Sequence, residues 1–277
     1  MVYQLGVNTT INLNSTMSAD IIQAKIDRIA KKLNGNRLTF QFADGTYTLN
    51  HLLDFSGFTG GELFVQGNQT ENKFSGHTNQ AVILNFSAGR LEFQGVTQCE
   101  INNIRVIAPD VDFTILHFNG VTGFAVYGCY LECAGITTTA GIRANQSVGE
   151  IAAVRITKTL NGIIAQSSII LSEGNAGVTT NPVNGLVSNS GFICKNGAQP
   201  AGTTTNEVLN KGGLIRASVI QAITASDPPT QAELVSALGS ASLYPSRNLL
   251  ISSTSGVVYF VASNGTSWYY NAYTVGA

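Results

Sequence analysis

Residues 93–106 read FQGVTQCEINNIRV, and residues 118–131 read FNGVTGFAVYGCYL. The second stretch repeats the first at a period of about 25 residues, which is in the range of repeat architectures. Apolar residues recur at matched positions and alternate within each copy, as they do in a strand with one buried face. A further step of the same length leads to the apolar positions Ile151, Val154 and Ile156. Short strands that return at a fixed period predict a solenoid of stacked β-coils.

The composition of the chain excludes several classes of protein. Of its 277 residues, 44% are hydrophobic and 11% are charged, and the net charge is −1. A charged fraction of roughly 25% is usual. Without a basic excess we expect no nucleic-acid partner, and without a long apolar run we expect no membrane insertion. Stacked coils explain the low charge, because like charges about 4.8 Å apart in a ladder would repel one another.

A helix is predicted over residues 18–34, before the first coil. Ser18 is a favourable N-cap, and Asp20 lies in the first turn. One apolar stripe follows, formed by Ile21, Ile22, Ile26, Ile29 and Leu33. Because the first coil of a solenoid has an open edge, this helix is expected to cover it.

The segments that follow the helix resemble a known fold family. They read RLTFQFADGTYTL at 37–49 and LLDFSGFTGGELFVQG at 52–67, and the repeat at 93–106 comes next. This order resembles the pectate-lyase-like right-handed parallel β-helix, and more narrowly the short β-helices of bacteriophage tailspikes and tail-fibre tips. The resemblance covers roughly residues 18–220. It implies a homotrimer in the virion tail that contacts other tail proteins and a host surface polysaccharide or lipopolysaccharide.

Three regions are predicted along the chain. Residues 1–17 form an extended segment without the pattern of a secretory signal, and they could dock to the virion. Residues 18–225 hold the capping helix and the all-β solenoid. Residues 226–277 form a small β-meander after a short helix that begins at a Thr230–Glu233 capping box. An Asn-Gly pair at 264–265 predicts a hairpin within this module.

Stacking at this period also predicts columns of outward side chains. Glu100, Ala125 and Glu150 form one column, in which the two glutamates lie about 9–10 Å apart at the backbone. That distance is near the upper end of the carboxylate separation in inverting glycosidases, about 6.5–9.5 Å. Ion pairing and solvation are the alternative explanation for such columns. A shorter column pairs Glu92 with His117 as an acid and an imidazole.

Two further sets of residues are candidates for glycan binding. Arg105, Tyr130 and Arg155 form a column in which the arginines can flank the tyrosine ring. In the C-terminal module, Trp268 and Tyr270 could form a platform for sugar rings. The competing interpretation is that these aromatic residues pack against the end of the β-helix or against sister chains.

The leading functional hypothesis is a homotrimeric adhesin of a virion tail that binds a host surface glycan. The first alternative is a polysaccharide depolymerase, a hydrolase or a lyase, that uses Glu100 and Glu150. The second alternative is a capsid decoration protein. No cofactor and no metal are expected, since the sequence contains no nucleotide-binding or metal-ligating motif. Binding is favoured over catalysis because the chain has few coils and few acidic residues.

Overall fold

Strands dominate the molecule and lie in four sheets. The computed structural model describes residues 6–70, 80–109, 114–133, 140–175, 182–217, 221–244, 248–255 and 257–272. Numbered along the chain, the strands of the nine-stranded sheet A are β1 (Thr9–Leu13), β2 (Arg37–Phe42), β5 (Glu62–Gln66), β8 (Gln98–Asn102), β11 (Gly123–Tyr127), β14 (Val148–Ala152), β17 (Ile169–Glu173), β19 (Phe192–Asn196) and β21 (Leu214–Ala217).

Two smaller parallel sheets complete the solenoid. The seven-stranded sheet B holds β4 (Leu53–Asp54), β7 (Leu91–Gln94), β10 (Thr114–Asn119), β13 (Ala140–Asn145), β16 (Asn161–Gln166), β18 (Asn184–Asn189) and β20 (Thr205–Asn210). The five-stranded sheet C holds β3 (Gly45–Leu49), β6 (Val82–Phe86), β9 (Arg105–Ala108), β12 (Tyr130–Cys133) and β15 (Arg155–Thr157). The described part of the chain therefore winds through about seven coils.

The strand register confirms the predicted fold, an all-β, right-handed parallel β-helix. Cys99 pairs with Phe124, and Leu116 pairs with Leu91, each at the step predicted from the repeat. Turns between the sheets require left-handed backbone at Asn103, Gly128 and Ala153, which follow one another at the same step. Asparagine and glycine adopt that conformation readily, and alanine does so at a cost.

A stack of phenyl rings fills the N-terminal half of the core. The rings of Phe55 and Phe93 lie 5.4 Å apart and nearly parallel, and those of Phe93 and Phe118 lie 5.2 Å apart. Phe124 continues the stack at 4.1 Å from Phe118. All four side chains are buried. Phe55, Phe93 and Phe118 occupy the same inward position on successive coils, and Phe124 joins the stack from sheet A of the same coil as Phe118.

The capping helix is shorter than predicted. Helix α1 spans Ala19–Asp27 and ends well before the expected residue 34. Its N-cap is Ser18, as predicted, with the hydroxyl oxygen accepting from the Ile21 amide. The chain leaves the helix because the backbone around Lys31 hydrogen-bonds with Thr59 at 2.8 Å, in the manner of a strand. Tertiary hydrogen bonds thus outweigh the helical pattern of residues 28–34.

Helix α1 also closes the open edge of strand β4. The Gln23 side-chain amide donates to the Asp54 carbonyl at 3.2 Å and accepts from the Asp54 amide at 2.9 Å. One side chain therefore replaces the neighbouring strand that an edge residue lacks. The extended N-terminal segment supplies β1, which pairs in parallel with β2. Any docking of that segment to a virion stays a prediction.

The C-terminal end of the solenoid has a polar interior. Lys195 and Glu207 form an ion pair there, and both side chains are almost completely buried. The Asn206 amide donates to the Tyr244 hydroxyl at 2.7 Å, and the Lys195 ammonium lies 5.7 Å from the centre of the Tyr244 ring. Tyr244 follows a 3-10 turn at Ala241–Leu243. The segment after the last coil thus covers that end of the solenoid.

The C-terminal module has its own sheet and its own apolar cluster. Sheet D contains β22 (Gln221–Ala222), β23 (Asn248–Ser252), β24 (Val258–Ser263) and β25 (Trp268–Ala272). Helix α2 spans Gln231–Leu238 and begins with the predicted capping box. The predicted hairpin joins β24 to β25, which pair antiparallel. None of the helices in the described residues is long and apolar enough to cross a membrane.

Candidate functional site

A groove of about 340 Å³ lies on the outer face of sheet A. It crosses four successive strands, β5, β8, β11 and β14. Its lining combines carboxylates, a phenol and apolar surface, supplied by Glu62, Phe64, Glu100, Tyr127, Val148 and Glu150. A volume of this size is at the lower end of the range for small-ligand sites, about 300–1,000 Å³. We call this feature the sheet A groove.

Glu100 and Glu150 both line the sheet A groove. Ala125 pairs with Glu100 on one side and with Glu150 on the other, so the predicted column is confirmed. At about 4.8 Å per coil, the two glutamate backbones are about 9–10 Å apart. Ala125, the residue between them, has only a methyl side chain and also lines the groove.

The two carboxylates have different hydrogen-bond partners. The Asn102 side chain donates to Glu100 Oε1 at 2.7 Å. The Tyr127 hydroxyl forms a hydrogen bond with Glu150, and burial together with that carboxylate raises the tyrosine pKa above its ordinary value. Tyr127 therefore keeps its proton at neutral pH and serves as a donor. That proton is donated to Glu150, so the groove presents carboxylate and phenol oxygens that can accept hydrogen bonds from hydroxyl groups.

Tyr127 lines the groove, but the repeated columns of the sequence do not predict it. Its column contains Asn102 and Ala152, so no repeated chemistry marks it. The alternation of the strand does indicate its position, since Ala125 and Tyr127 are two residues apart and therefore project from the same face of sheet A.

The column of Arg105, Tyr130 and Arg155 lies on sheet C, away from the sheet A groove. Its register is as predicted, and the Arg105 guanidinium carbon is 4.9 Å from the centre of the Tyr130 ring. Arg105 also donates to Glu132 at 2.5 Å. Burial opposes ionisation of Glu132, but hydrogen bonds from Arg105 and Lys158 outweigh it and lower the pKa of the carboxyl. Arg105 of this column is thus held in an ion pair between neighbouring coils.

The predicted aromatic platform does not form around Trp268. Its side chain is only 1% exposed, and its Nε1 donates to the Gly239 carbonyl at 2.9 Å. Tyr270 packs edge-on against Tyr259, with ring centres 5.5 Å apart. The assignment of Trp268 as a sugar-stacking residue is therefore wrong, because its ring faces are buried in the module itself. The strand alternation instead exposes Tyr269.

Glu92 and His117 are in contact on the outer face of sheet B, as the shorter column predicts. His117 Nδ1 lies 2.8 Å from Glu92 Oε1, and the Asn145 amide donates to His117 Nε2 at 2.9 Å. This arrangement requires the tautomer with hydrogen on Nδ1, which donates to the carboxylate. Arg90 donates to the other oxygen of Glu92 at 2.6 Å. Both imidazole nitrogens are occupied, so the cluster ties neighbouring coils together.

Metal ligands are not clustered in the part of the chain that the structure describes. No group of three or more histidine, cysteine, aspartate or glutamate side chains converges there. Asp110 and Asp112, two aspartates that are close in the sequence, lie outside the described residues.

Comparisons with known proteins give a likeness to a solved structure. No family model matches the sequence. No curated protein matches it. A crystal structure of the pectin methylesterase from Aspergillus niger, in a partly deglycosylated form, aligns over 80% of this chain and 79% of its own, with 14% identity and a TM-score of 0.36. The strand order and register of the chain itself define its fold.

Proposed function

We propose that this chain is a host-attachment protein of a bacteriophage, a tailspike or tail-fibre tip that acts as a homotrimer in the virion tail. In this role it binds a host surface polysaccharide or lipopolysaccharide through the sheet A groove. The observation that supports glycan binding is the composition of that groove, with Glu100, Tyr127 and Glu150 beside the apolar surfaces of Phe64 and Val148. Sugar rings offer hydroxyl edges and apolar faces, which match these two kinds of surface.

The position of the groove also suits a linear polymer. Strands of sheet A stack along the solenoid axis, so the groove runs from coil to coil along that axis. A polysaccharide can lie along such a surface without its chain ends being enclosed. The tailspike assignment itself is supported by the resemblance of residues 18–220 and by the separate C-terminal module.

Binding of purified bacterial surface polysaccharides to the wild-type protein tests this proposal. Screening of immobilised capsular and lipopolysaccharide chains should identify a ligand. The double variant Glu100→Gln/Glu150→Gln should lower its affinity at least tenfold, because each amide keeps the shape of the carboxylate but replaces an acceptor oxygen with a donor group. Asp20→Asn makes the same chemical change on helix α1 and should bind like the wild type. Equal binding by all three proteins would contradict the groove as the binding site.

Immunogold labelling of the virion that carries this chain tests the assignment to the tail. Label at the tail tip is expected. Label over the capsid surface would instead support a decoration protein, the second alternative.

A depolymerase is the second candidate function. It is favoured by the placement of Glu100 and Glu150 in one groove, two coils apart, near the spacing of an inverting pair. In that reaction one carboxylic acid would protonate the glycosidic oxygen, and the other carboxylate would activate water on the opposite face of the sugar. Release of reducing ends from the bound polysaccharide would establish hydrolysis, and ultraviolet absorbance of unsaturated products would establish a lyase. If the activity persists in both single glutamine variants, this pair is not responsible for it.

A further inference from the structure

Three cationic side chains lie close together at the outer face of sheet C. Tyr130 pairs with Arg105 on one side and with Arg155 on the other, so the two arginines are on alternate coils of one column. Lys158 follows directly after strand β15, which also contains Arg155. We call Arg105, Arg155 and Lys158 the sheet C cations.

A single carboxylate serves two of the sheet C cations. The Arg105 guanidinium donates to Glu132 Oε2 at 2.5 Å, and the Lys158 ammonium donates to Glu132 Oε1 at 3.0 Å. Both carboxylate oxygens are therefore occupied, and Arg155 forms no ion pair among the residues that the structure describes. Three positive charges and one negative charge give this group of described residues a net charge of +2. The surface around Arg155 thus lacks an anion.

Polar atoms of Arg155 and Thr157 also lack hydrogen-bond partners. Arg155 Nε and Thr157 Oγ1 are buried, and neither forms a hydrogen bond in the described part of the chain. The two residues are two positions apart on β15, so they project from the same face of sheet C. Thr157 is only 1% exposed, whereas Arg155 is half-buried and can be reached from solvent. Because an unpaired buried polar atom destabilises the folded chain, a ligand that supplies acceptors would be favoured here.

The chemistry of these groups restricts the ligand to an anion with several acceptor oxygens. A guanidinium group offers a planar fork of N–H donors, and the hydroxyls of Tyr130 and Thr157 can donate as well. The backbones of these two residues lie about 4.8 Å and about 6.6 Å from that of Arg155, so the donors approach from different directions. A phosphate monoester offers three acceptor oxygens and carries a charge of about −1.5 to −2 at neutral pH, which balances the positive charge of the surface.

We infer that Arg155 is the centre of a phosphate-binding site on the outer face of sheet C, to which Tyr130 and Thr157 contribute further donors. Arg105 and Lys158 stay paired with Glu132 and add positive potential. This site is separate from the sheet A groove. In the proposed attachment role the phosphate belongs to a phosphorylated sugar of the host surface. That source rests on the proposed function, whereas the phosphate site itself does not.

Nuclear magnetic resonance titration of the isotope-labelled full chain tests the inference. The side-chain Nε–H signal of Arg155 and the backbone amide signals of Tyr130 and Thr157 are followed. The added compounds are inorganic phosphate, glucose 1-phosphate, glucuronate and glucose, at constant ionic strength so that general screening does not change. Both phosphates should shift these signals saturably, and glucose should not. Glucuronate should bind at least about tenfold more weakly, because a carboxylate has fewer acceptor oxygens and less charge.

Arg155→Gln should weaken phosphate binding at least about tenfold, because it removes both the charge and the fork of donors. Arg143→Gln is the matched control. Arg143 lies on sheet B, pairs with His117, and also has a buried Nε without a hydrogen-bond partner. This variant should bind phosphate like the wild type. Tyr130→Phe keeps the ring and removes only the hydroxyl, so it should weaken binding by a smaller factor. Far-ultraviolet circular dichroism checks that each variant is folded.

Each result of the titration has a distinct meaning. If neither phosphate shifts the Arg155 signal, or if Arg155→Gln and Tyr130→Phe both bind like the wild type, the inferred site is wrong. If glucuronate binds as tightly as phosphate, the assignment to phosphate is wrong. Loss of binding in Arg143→Gln would show that the effect is not specific to sheet C, and the inference would fail. If inorganic phosphate binds as tightly as glucose 1-phosphate, the sugar source is contradicted and the phosphate site stands. Polysaccharide binding to the Glu100 and Glu150 variants is measured separately, so a failure of the proposed function is not confused with these outcomes.

Discussion

The two ends of the solenoid are closed by different chemistry. At the N-terminal end, helix α1 covers a core of stacked phenyl rings, and Gln23 satisfies the exposed edge of strand β4. At the C-terminal end, the interior becomes polar and holds the Lys195–Glu207 ion pair under Tyr244. An apolar core needs only a cover, whereas a buried ion pair needs a specific partner for each charge. We therefore expect the first end to supply stability and the second to fix the position of the C-terminal module.

The largest loss of stability is expected from Phe93→Ala. Phe93 stacks between Phe55 and Phe118 and is completely buried, so its removal leaves a cavity within the ring stack. The free energy of unfolding should fall by about 3–5 kcal/mol, measured by urea denaturation. Phe64→Ala removes a phenyl group from the outer face of sheet A and should cost clearly less. Equal losses would show that the stack is no better packed than the surface.

Lys195→Met should destabilise the protein by about 3 kcal/mol, because it leaves the buried Glu207 carboxylate without the lysine ammonium. The double variant Lys195→Met/Glu207→Leu should recover most of that loss, because it removes both charges from the interior. Urea denaturation of the two variants checks this. If the double variant is no more stable than the single one, the ion pair itself supplies stability, and the proposed contrast between the ends is wrong.

Gln23→Ala tests how much the contact between helix α1 and strand β4 stabilises the N-terminal end of the solenoid. The substitution removes both hydrogen bonds to the Asp54 backbone and should lower the free energy of unfolding by about 1–2 kcal/mol. Hydrogen exchange at the Asp54 amide should accelerate by at least tenfold. Asp27→Ala is the matched control, since it removes the other hydrogen-bond partner of the Gln23 side chain and leaves both bonds to the Asp54 backbone in place. Its effect should be smaller than that of Gln23→Ala.

The smallest effect is expected in the pH dependence of stability at Glu92. Burial opposes ionisation of Glu92, but hydrogen bonds from His117 and Arg90 outweigh it and hold its pKa below the ordinary value of 4.5. The unfolded state therefore binds more protons near that pH, and the stabilisation from Glu92 is complete above about pH 4.5. It is lost as the pH falls through the lower folded pKa.

Urea denaturation of Glu92→Gln at pH 7 and pH 3 measures this contribution. The variant should be less stable than the wild type at pH 7, and the difference should shrink at pH 3. Glu62→Gln breaks a more exposed ion pair with Arg37 and is the matched control, which should cost less stability at pH 7. A constant difference for Glu92→Gln at both pH values would contradict the lowered pKa.

Much of the fold could be predicted from the sequence because its information is local and repeated. The step from Cys99 to Phe124 appears in the chain and again in the strand register. The capping box at Thr230 and the turn at Asn264 could also be predicted, since each depends on a few adjacent residues. Helix α1 was predicted too long because the hydrogen bonds of Lys31 with Thr59 are not local.

The candidate site could be predicted only in part. Stacking placed Glu100 and Glu150 in one column, and the structure places both in one groove. Stacking could not show that the Arg105 column lies on a different sheet. The sequence pattern also failed for Trp268, because composition does not reveal which aromatic residue is buried when several occur on adjacent strand positions.

The sequence by itself determined the period of the regular coils, the alternation of their strands and columns such as that of Glu100, Ala125 and Glu150. These properties follow from the fixed spacing of stacked strands. Only the tertiary structure decided which columns are covered, where the helix ends and which outward residues share a groove. Those features depend on contacts between residues far apart in the chain. Ile169 illustrates both, since the sequence shows an apolar residue at that position, but only the assembled coils place it on the solvent side of sheet A beside Phe192.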